Sequence, residues 1–141
     1  MKTIIFVCHG NICRSVAAEY IFKNMNNEYI VLSRATSNEE IGNDIYPPMK
    51  RELTRQGIPF DRHYAKRIDY DDYQKADIIF YMDSENLYTL NRMFPNSNKI
   101  FPIYKYTPSI SEIEDPWYTG RFDLVVSQIK QCIKDIINNM K

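Results

Sequence analysis

The chain has 141 residues, with 18 Lys and Arg residues against 18 Asp and Glu residues, so its formal net charge is zero. This length fits one domain, which we predict to span residues 1–141. A balanced charge provides no general attraction for nucleic acid or for an anionic membrane, so neither is an expected partner. Any affinity for phosphate would therefore have to come from a few groups in one cleft.

The cysteines and histidines of the chain are few. Cys8, Cys13 and Cys132 are odd in number and irregularly spaced, which argues against a secreted disulfide framework. With His9 and His63 as its two histidines and no pair of Cys-x-x-Cys motifs, the sequence predicts no metal site and no cofactor. The N-terminal apolar run is too short for a secretory signal or a membrane span. We expect a cytoplasmic protein that is a monomer or a weak dimer.

The first half of the chain predicts two strands and two helices. A continuous apolar run predicts a buried strand at residues 4–7, and a second strand is predicted at residues 29–32. Pro47-Pro48 predicts the start of a helix and Gly57 its end. The helix between the two strands has one apolar face, made of Ala17, Tyr20, Ile21 and Met25.

The second half continues the alternation. Strands are predicted at residues 76–82 and 99–101, and Asp83 and Ser84 can cap a helix that ends before Pro95. The last helix has the clearest pattern, because its apolar residues share one face: Phe122, Val125, Val126, Ile129, Ile133, Ile136, Ile137 and Met140. Strands that alternate with helices predict a parallel α/β sheet with right-handed crossovers.

Ligands of such sheets bind beyond the carboxyl ends of the strands, which directs attention to residues 8–15. This segment is rich in turn-forming residues, and five residues separate Cys8 from Arg14. Backbone N–H groups of a loop that leads into a helix converge on one point and bind an oxyanion. We expect Gly10 to supply the unusual backbone angles of this loop and Arg14 to grip two phosphate oxygens. The same groups favour a nucleophilic thiolate at Cys8, whereas the alternative is an inert buried thiol.

The segment Cys8-His9-Gly10-Asn11-Ile12-Cys13-Arg14-Ser15 resembles the signature loop of the low-molecular-weight protein tyrosine phosphatases, and the resemblance covers essentially the whole chain. It implies a single-domain, three-layer α/β sandwich in which helices flank a four-stranded parallel sheet. It also implies that the loop residues from His9 to Ser15 bind phosphate or another oxyanion. The implied reaction is hydrolysis of phosphotyrosine in proteins through a cysteinyl-phosphate intermediate.

A phenolate leaving group departs more easily when it is protonated, so a carboxylic acid is needed from another part of the chain. Pro116 restrains the backbone and biases Asp115 toward an extended conformation, in a loop just before the last helix. In the family, the Asp of such an Asp-Pro pair is the general acid, which the resemblance assigns to Asp115. An ordinary Asp-Pro turn is the alternative.

The resemblance also assigns supporting residues. It implies that Asn11, Ser15, Ser33 and His63 form hydrogen bonds around the loop, and that Ser15 donates to the sulfur of Cys8. Each of these residue types also serves as a cap, a turn residue or a surface polar group.

The rim of the site is expected to be partly aromatic and partly acidic. We expect Trp117 and Tyr118 to form the walls of a slot deep enough for a phenyl ring. The alternative is that both side chains cover the hydrophobic core. Glu39 stands where relatives often have a further aromatic residue, and together with Glu40 it predicts a rim that disfavours acidic peptides. His9 is expected either at this rim or in solvent.

The sequence also bears on a disulfide and on three alternative functions. Resemblance suggests a reversible, protective disulfide between Cys13 and Cys8, with a packed thiol as the alternative, whereas Cys132 is expected to be structural. Arsenate reductases share the loop but carry further cysteines in the middle of the chain, which this sequence lacks. Protein arginine phosphatases carry Thr where Ile12 stands, which favours phosphotyrosine here. A non-catalytic module is disfavoured by the joint presence of the nucleophile, the arginine and the acid.

Overall fold

The computed structural model describes residues 1–140, so Lys141, the last residue of the predicted domain, lies outside it. Within this range the strands are β1 (Thr3–Cys8), β2 (Ile30–Ala35), β3 (Ile78–Tyr81) and β4 (Ile100–Pro102), which pair in parallel in the order β2-β1-β3-β4. The predicted segments 76–82 and 99–101 correspond to β3 and β4, with ends that differ by one or two residues. Because β1 lies between β2 and β3, the strand order reverses at its carboxyl end, where parallel sheets bind their ligands.

The helices in the same range are α1 (Arg14–Met25), α2 (Pro47–Arg55), α3 (Tyr70–Lys75), α4 (Ser84–Met93), α5 (Pro116–Thr119) and α6 (Phe122–Asn139). Four of them, α1, α2, α4 and α6, confirm predicted helices. Gly57 has a φ of 73° just past the end of α2, a left-handed conformation that glycine adopts at little cost. Asp83 is the N-cap of α4, which ends before Pro95 as predicted.

The side chains of β1 alternate between two hydrophobic cores, so the molecule is three layers thick. Ile4 and Phe6 lie in one core with apolar residues of α1, α2 and α6. Ile5 and Val7 lie in the other core, with residues of α4 and of the segment around α3. The predicted three-layer α/β sandwich is thus confirmed.

The longest helix, α6, has 18 residues and buries most of its predicted stripe. Its fully buried side chains are those of Val125, Val126, Ile129, Cys132, Ile133 and Ile136. Phe122, Ile137 and Met140, which lie nearer its ends, are partly buried. The burial of Cys132 agrees with its predicted structural role. None of the helices in residues 1–140 is long and apolar enough to pass through a membrane.

The carboxyl end of β2 and the apolar face of α1 also differ from the predictions. β2 continues to Ala35, whereas the sequence predicts that it ends at residue 32. The prediction ends there because the apolar run stops before the polar residues Ser33 and Arg34. In the structure the side chains of both residues have partners, and Nε of Arg34 lies 2.9 Å from a carboxylate oxygen of Asp72. The predicted apolar face of α1 stops short of its end, since Met25 is 37% exposed.

The sequence predicts neither α3 nor α5. In α3 the carboxylates of Asp69 and Asp72 accept each other's backbone N–H groups in a capping box. In α5 Asp115 is the N-cap, and Gly120 ends the helix with a φ of 73°. The prediction of a loop is therefore wrong for residues 116–119. Polar caps rather than apolar stripes define both helices, so the hydrophobic pattern misses them.

Candidate active site

The connection from β1 to α1 forms a loop around the side chain of Cys8, the last residue of β1. The backbone N–H groups of Asn11 and Ser15 point at the Cys8 sulfur, with N to Sγ distances of 3.3 and 3.4 Å. The hydroxyl oxygen of Ser15 lies 3.0 Å from the same sulfur. These donors stabilise negative charge at this position, whether it resides on the sulfur or on a bound oxyanion.

The shape of the loop depends on Asn11. This residue is buried and has a φ of 61°, in the left-handed region that asparagine tolerates better than most residues. Its side-chain Nδ2 donates to Ser15 Oγ at 2.8 Å, and its Oδ1 accepts from the backbone N–H of Lys66 at 3.1 Å. The amide thus contacts both the backbone that follows the loop and the Ser15 hydroxyl, and the supporting roles of Asn11 and Ser15 stay predictions.

The reason predicted for Gly10 is wrong, because the left-handed conformation belongs to Asn11 and not to the glycine. A Cβ atom at position 10 would lie 3.3 Å from Cγ of Glu40. Gly10 therefore provides room for the side chain of Glu40 to approach the loop backbone.

The side chain of His63 forms a hydrogen bond with the loop. Its Nε2 lies 2.6 Å from the carbonyl oxygen of Asn11, which can only accept, so Nε2 carries the proton and donates. Burial lowers the pKa of His63 and outweighs the opposing effect of this hydrogen bond. Its backbone N–H donates to Asp44 Oδ1 at 2.9 Å. Although burial alone would raise the pKa of Asp44, donation from Lys50, His63 and Ile45 keeps that pKa well below its usual range.

Ser33 does not take the position predicted for it. Its hydroxyl donates to Glu19 Oε1 at 2.6 Å, and no hydrogen bond within residues 1–140 joins its side chain to the loop. The sheet register explains the difference, because Ser33 lies beside Phe6, two residues before Cys8, and faces α1. Ser33 and Glu19 therefore tie β2 to α1 beneath the loop instead of contacting it.

Arg14 is 2% exposed and forms the floor of the site. Its Nη1 donates to Asp83 Oδ2 at 2.6 Å and to the carbonyl oxygen of Ile113 at 2.9 Å, and its Nη2 lies 3.6 Å from Asp115 Oδ2. Burial would lower the pKa of Arg14, but the charges of Cys8, Asp83 and Asp115 raise it above its usual value. The guanidinium is therefore charged and held in place by two carboxylates.

Sequence reasoning identifies Asp83 as a helix cap and misses its contact with Arg14. The only available signal is topological, because Asp83 follows β3 and this strand pairs directly with β1. Residues that follow neighbouring parallel strands meet at one edge of the sheet. The contact joins positions 69 residues apart, which no local pattern reveals.

Asp115 lies at the mouth of the site. It has φ −83° and ψ 110°, the extended conformation that Pro116 predicts. Its Oδ1 accepts from the backbone N–H of Trp117 at 3.0 Å, which leaves Oδ2 directed toward Arg14. The cap thus orients one carboxylate oxygen toward the floor of the site.

These residues surround an open cavity of about 530 Å³, including its solvent-filled mouth. Trp117 and Tyr118 form one wall, and Trp117 is 47% exposed while its ring packs on Tyr46 with 4.5 Å between centroids. Glu39 and Glu40 also line the cavity. The lining of the cavity therefore contains both aromatic and acidic side chains, and their roles toward a substrate stay predictions.

His9 and Ile12 also line the cavity. His9 is exposed, and its Nε2 lies 2.9 Å from Glu39 Oε2, so this pair closes the acidic side of the rim. Ile12 is buried except for the part that faces the cavity.

Cys13 lines the cavity but is 5% exposed, and it is the residue before α1. Burial, and after it the charges of Cys8 and Asp115, raise the pKa of Cys13 far above its usual value. Both cysteines of the loop are free thiols in this structure. The disulfide suggested by resemblance stays a prediction.

Comparisons with known proteins agree on one family. A family model described as low molecular weight phosphotyrosine protein phosphatase matches residues 3–141. The low molecular weight phosphotyrosine protein phosphatase of Homo sapiens is 38% identical over 149 residues, which cover 94% of this chain and 92% of that protein. The low molecular weight protein-tyrosine-phosphatase YfkJ of Bacillus subtilis is 32% identical over 151 residues, which cover 100% of this chain and 97% of that protein.

Solved structures give the same result. The crystal structure of YfkJ from Bacillus subtilis superimposes with a TM-score of 0.94 at 31% identity, covering 99% of this chain and 94% of that one. The low molecular weight protein tyrosine phosphatase SP-PTP from Streptococcus pyogenes gives a TM-score of 0.92 at 32% identity, covering 100% and 94%. The sequence match along almost the whole chain and the shared fold lead to one conclusion: this chain belongs to the low molecular weight phosphotyrosine protein phosphatase family.

Proposed function

We propose that the protein hydrolyses phosphotyrosine in protein substrates and that Cys8 is the nucleophile. The observation that carries the proposal is the convergence of the Asn11 and Ser15 N–H groups on the Cys8 sulfur, with Arg14 beside it at the floor of a cavity. This arrangement suits a phosphate group, since its oxygens accept from backbone N–H groups and from the planar guanidinium. The backbone N–H groups of residues 9–15 and the Arg14 side chain are the proposed phosphate ligands.

In the first step the Cys8 thiolate attacks phosphorus in line with the tyrosine oxygen. The S–P bond forms while the P–O bond to the phenyl ring breaks, and Asp115 gives its proton to the departing phenolate. The negative charge on the phosphate oxygens is stabilised throughout by fixed donors, which need no reorganisation during the reaction. The products of this step are free tyrosine on the substrate and phosphocysteine on the enzyme.

In the second step a water molecule attacks the phosphocysteine. The Asp115 carboxylate takes a proton from the water, the S–P bond breaks, and inorganic phosphate leaves. Because Asn11 Nδ2 already donates to Ser15 Oγ, the Ser15 hydroxyl keeps its own hydrogen free for the Cys8 sulfur at 3.0 Å. This donor stabilises the thiolate as it becomes the leaving group.

The aromatic side of the rim supports an aryl phosphate as the substrate. The exposed faces of Trp117 and Tyr118 can stack on a phenyl ring whose phosphate reaches the floor of the cavity. A phosphoserine side chain is shorter and has no ring to stack. The proposed order of substrates is therefore phosphotyrosine well above phosphoserine.

A substrate comparison without added metal tests the proposed function. We expect the highest kcat/KM with a phosphotyrosine peptide, measured by phosphate release, and much lower values with phosphoserine and phosphoarginine peptides. Arsenate with a thiol reductant should yield no arsenite. A higher kcat/KM for phosphoarginine would identify an arginine phosphatase instead, and thiol-dependent arsenate reduction would identify a reductase.

The contact between Arg14 and Asp83 leads to a prediction about positioning. In Asp83→Asn the oxygen that caps α4 is retained, because asparagine is as good an N-cap as aspartate, but the charge beside Arg14 is lost. Hydrogen bonds to charged groups contribute about 1.5–3 kcal/mol, so we expect kcat/KM for phosphotyrosine to fall about 10- to 100-fold. The thermal midpoint should change little.

Asp69→Asn is the matched control for this variant. Asp69 caps α3 through the same capping box but has no contact with Arg14 among the described residues. Its kcat/KM should stay within about two-fold of wild type, since only an exposed cap is altered. Equal losses in Asp83→Asn and Asp69→Asn would show that helix capping, and not orientation of Arg14, accounts for the effect.

A further inference from the structure

A second cavity adjoins the candidate active site, and His9 lines both of them. Its walls come from Thr36, the residue after β2, and from the first turns of α4, where Ser84, Glu85 and Tyr88 line it. We propose that this cavity binds the Lys or Arg side chain of a substrate residue close to the phosphotyrosine, with Glu85 as its counter-charge. The inference rests on the proposed function, because it assigns the neighbouring residues of the same substrate.

The position of the second cavity follows from the first. A phosphotyrosine that reaches Cys8 carries its peptide chain past the rim, and a chain that passes His9 reaches the second cavity, because His9 lines both cavities. An extended peptide advances about 3.3 Å per residue, so a residue within about three positions of the phosphotyrosine would lie over the second cavity. The two cavities share His9 as a lining residue, and we refer to them together as the groove.

Hydrogen bonds connect the residues that follow β2 to the loop that follows β1. The backbone N–H of Thr36 donates to the carbonyl oxygen of Cys8 at 2.9 Å, and that of Ser37 donates to the carbonyl oxygen of His9 at 3.1 Å. The hydroxyl of Ser37 donates to the same His9 oxygen at 2.9 Å, while the His9 ring pairs with Glu39. The wall between the cavities is therefore fixed relative to the nucleophile, which allows it to position a peptide.

The charge of the groove selects the occupant. Glu39 and Glu40 line the catalytic cavity, and Glu85 lines the second one, where it is exposed. Arg14 is the only Lys or Arg residue among the described residues that line the two cavities. Its side chain is buried and pairs with Asp83. Arg67 and Arg92 contact the lining residues Thr36 and Tyr88 but do not line the second cavity themselves. The charged side chains that line the rim are therefore mainly carboxylates, which favours basic neighbours of the phosphotyrosine.

The N-terminus of α4 does not reverse this charge. The backbone N–H of Ser84 donates to Glu112 Oε1 at 2.8 Å, and that of Asn86 donates to Asp83 Oδ1 at 3.0 Å. Carboxylates of the protein itself therefore already occupy these helix-terminal donors. A second phosphate or an acidic side chain would meet Glu85 and Glu112 instead of free N–H groups. A long basic side chain can lay its stem against the wall and bring its charge to Glu85.

Pairs of phosphotyrosine peptides that differ only by Lys or Glu at one position test the inference. The position is moved from one to three residues on either side of the phosphotyrosine, and kcat/KM is measured for each peptide at low and at high salt. We expect wild type to prefer Lys over Glu at one or more positions. Exposed ion pairs are weak, so Glu85→Gln should reduce that preference about two- to five-fold, and Glu85→Lys should reverse it. High salt should reduce the preference of wild type.

Glu28→Gln is the matched control, because Glu28 is an exposed glutamate before β2, at the opposite end of the sheet. It should keep the wild-type preference. Equal kcat/KM for Lys and Glu peptides in wild type, or an unchanged preference in Glu85→Gln, would overturn the inference while phosphotyrosine hydrolysis itself persists. If no phosphotyrosine peptide is hydrolysed, the proposed function is overturned and this inference with it.

Discussion

Cys8→Ser is expected to lower kcat for phosphotyrosine hydrolysis by at least about 10⁴-fold, because removal of the nucleophile from a covalent mechanism leaves only binding and electrostatic effects. A serine hydroxyl is a much weaker acid than a thiol, so the N–H groups that stabilise negative charge at Sγ would not ionise it. Those same groups remain in place around the loop, since the backbone of Asn11 and Ser15 is unchanged. Phosphate release gives kcat, and calorimetric titration with inorganic phosphate should show that binding persists.

The same substitution at another buried thiol provides the control. Cys132 lies in α6 in the hydrophobic core, and burial raises its pKa to about 11. Cys132→Ser places a hydroxyl in a largely apolar core, with Thr107 as a polar neighbour, so it should lower the thermal midpoint while leaving kcat within about two-fold of wild type. Substantial phosphotyrosine hydrolysis by Cys8→Ser, or no difference between the two variants, would remove Cys8 from the mechanism.

The parts of the molecule that the sequence predicts well are those defined by neighbouring residues. The stripe of α6 repeats over five turns, and each of its apolar residues supports the same face, so the helix and its burial follow directly. The loop after β1 is similarly local, because a buried strand, five loop residues and a helix follow one another from Thr3 to Met25. Both predictions depend only on the order of residues along the chain.

The parts that the sequence does not predict depend on contacts between distant residues. The role of Asp83 requires β3 to lie beside β1, and the partner of Ser33 requires the register in which it pairs with Phe6. Asn11 is the left-handed residue of the loop, because its side-chain amide forms hydrogen bonds with Ser15 and Lys66. The conformational preferences of the residues alone assign the unusual backbone angles to Gly10. Each of these differences arises because tertiary hydrogen bonds outweigh local preferences.

Loss of the proposed general acid should give the second large effect. Asp115→Asn is expected to lower kcat for phosphotyrosine about 10²- to 10⁴-fold, because the amide can neither protonate the phenolate nor take a proton from the attacking water. The asparagine can still accept the Trp117 N–H and cap α5, so the loop should keep its place. Phosphate binding should be nearly intact, since Arg14 and the loop N–H groups are untouched.

Dependence on the leaving group separates a lost acid from a displaced loop. A p-nitrophenolate needs little protonation, so Asp115→Asn should lose less activity on p-nitrophenyl phosphate than on phosphotyrosine when single-turnover rates are compared. A displaced loop would slow the hydrolysis of both substrates equally.

Asp123→Asn is the control, because it alters an exposed carboxylate in the first turn of α6 and should leave both rates unchanged. An Asp115→Asn enzyme with wild-type turnover on phosphotyrosine would require a different proton donor, and Glu114 and Glu112 are then the nearest carboxylates along the same segment of the chain.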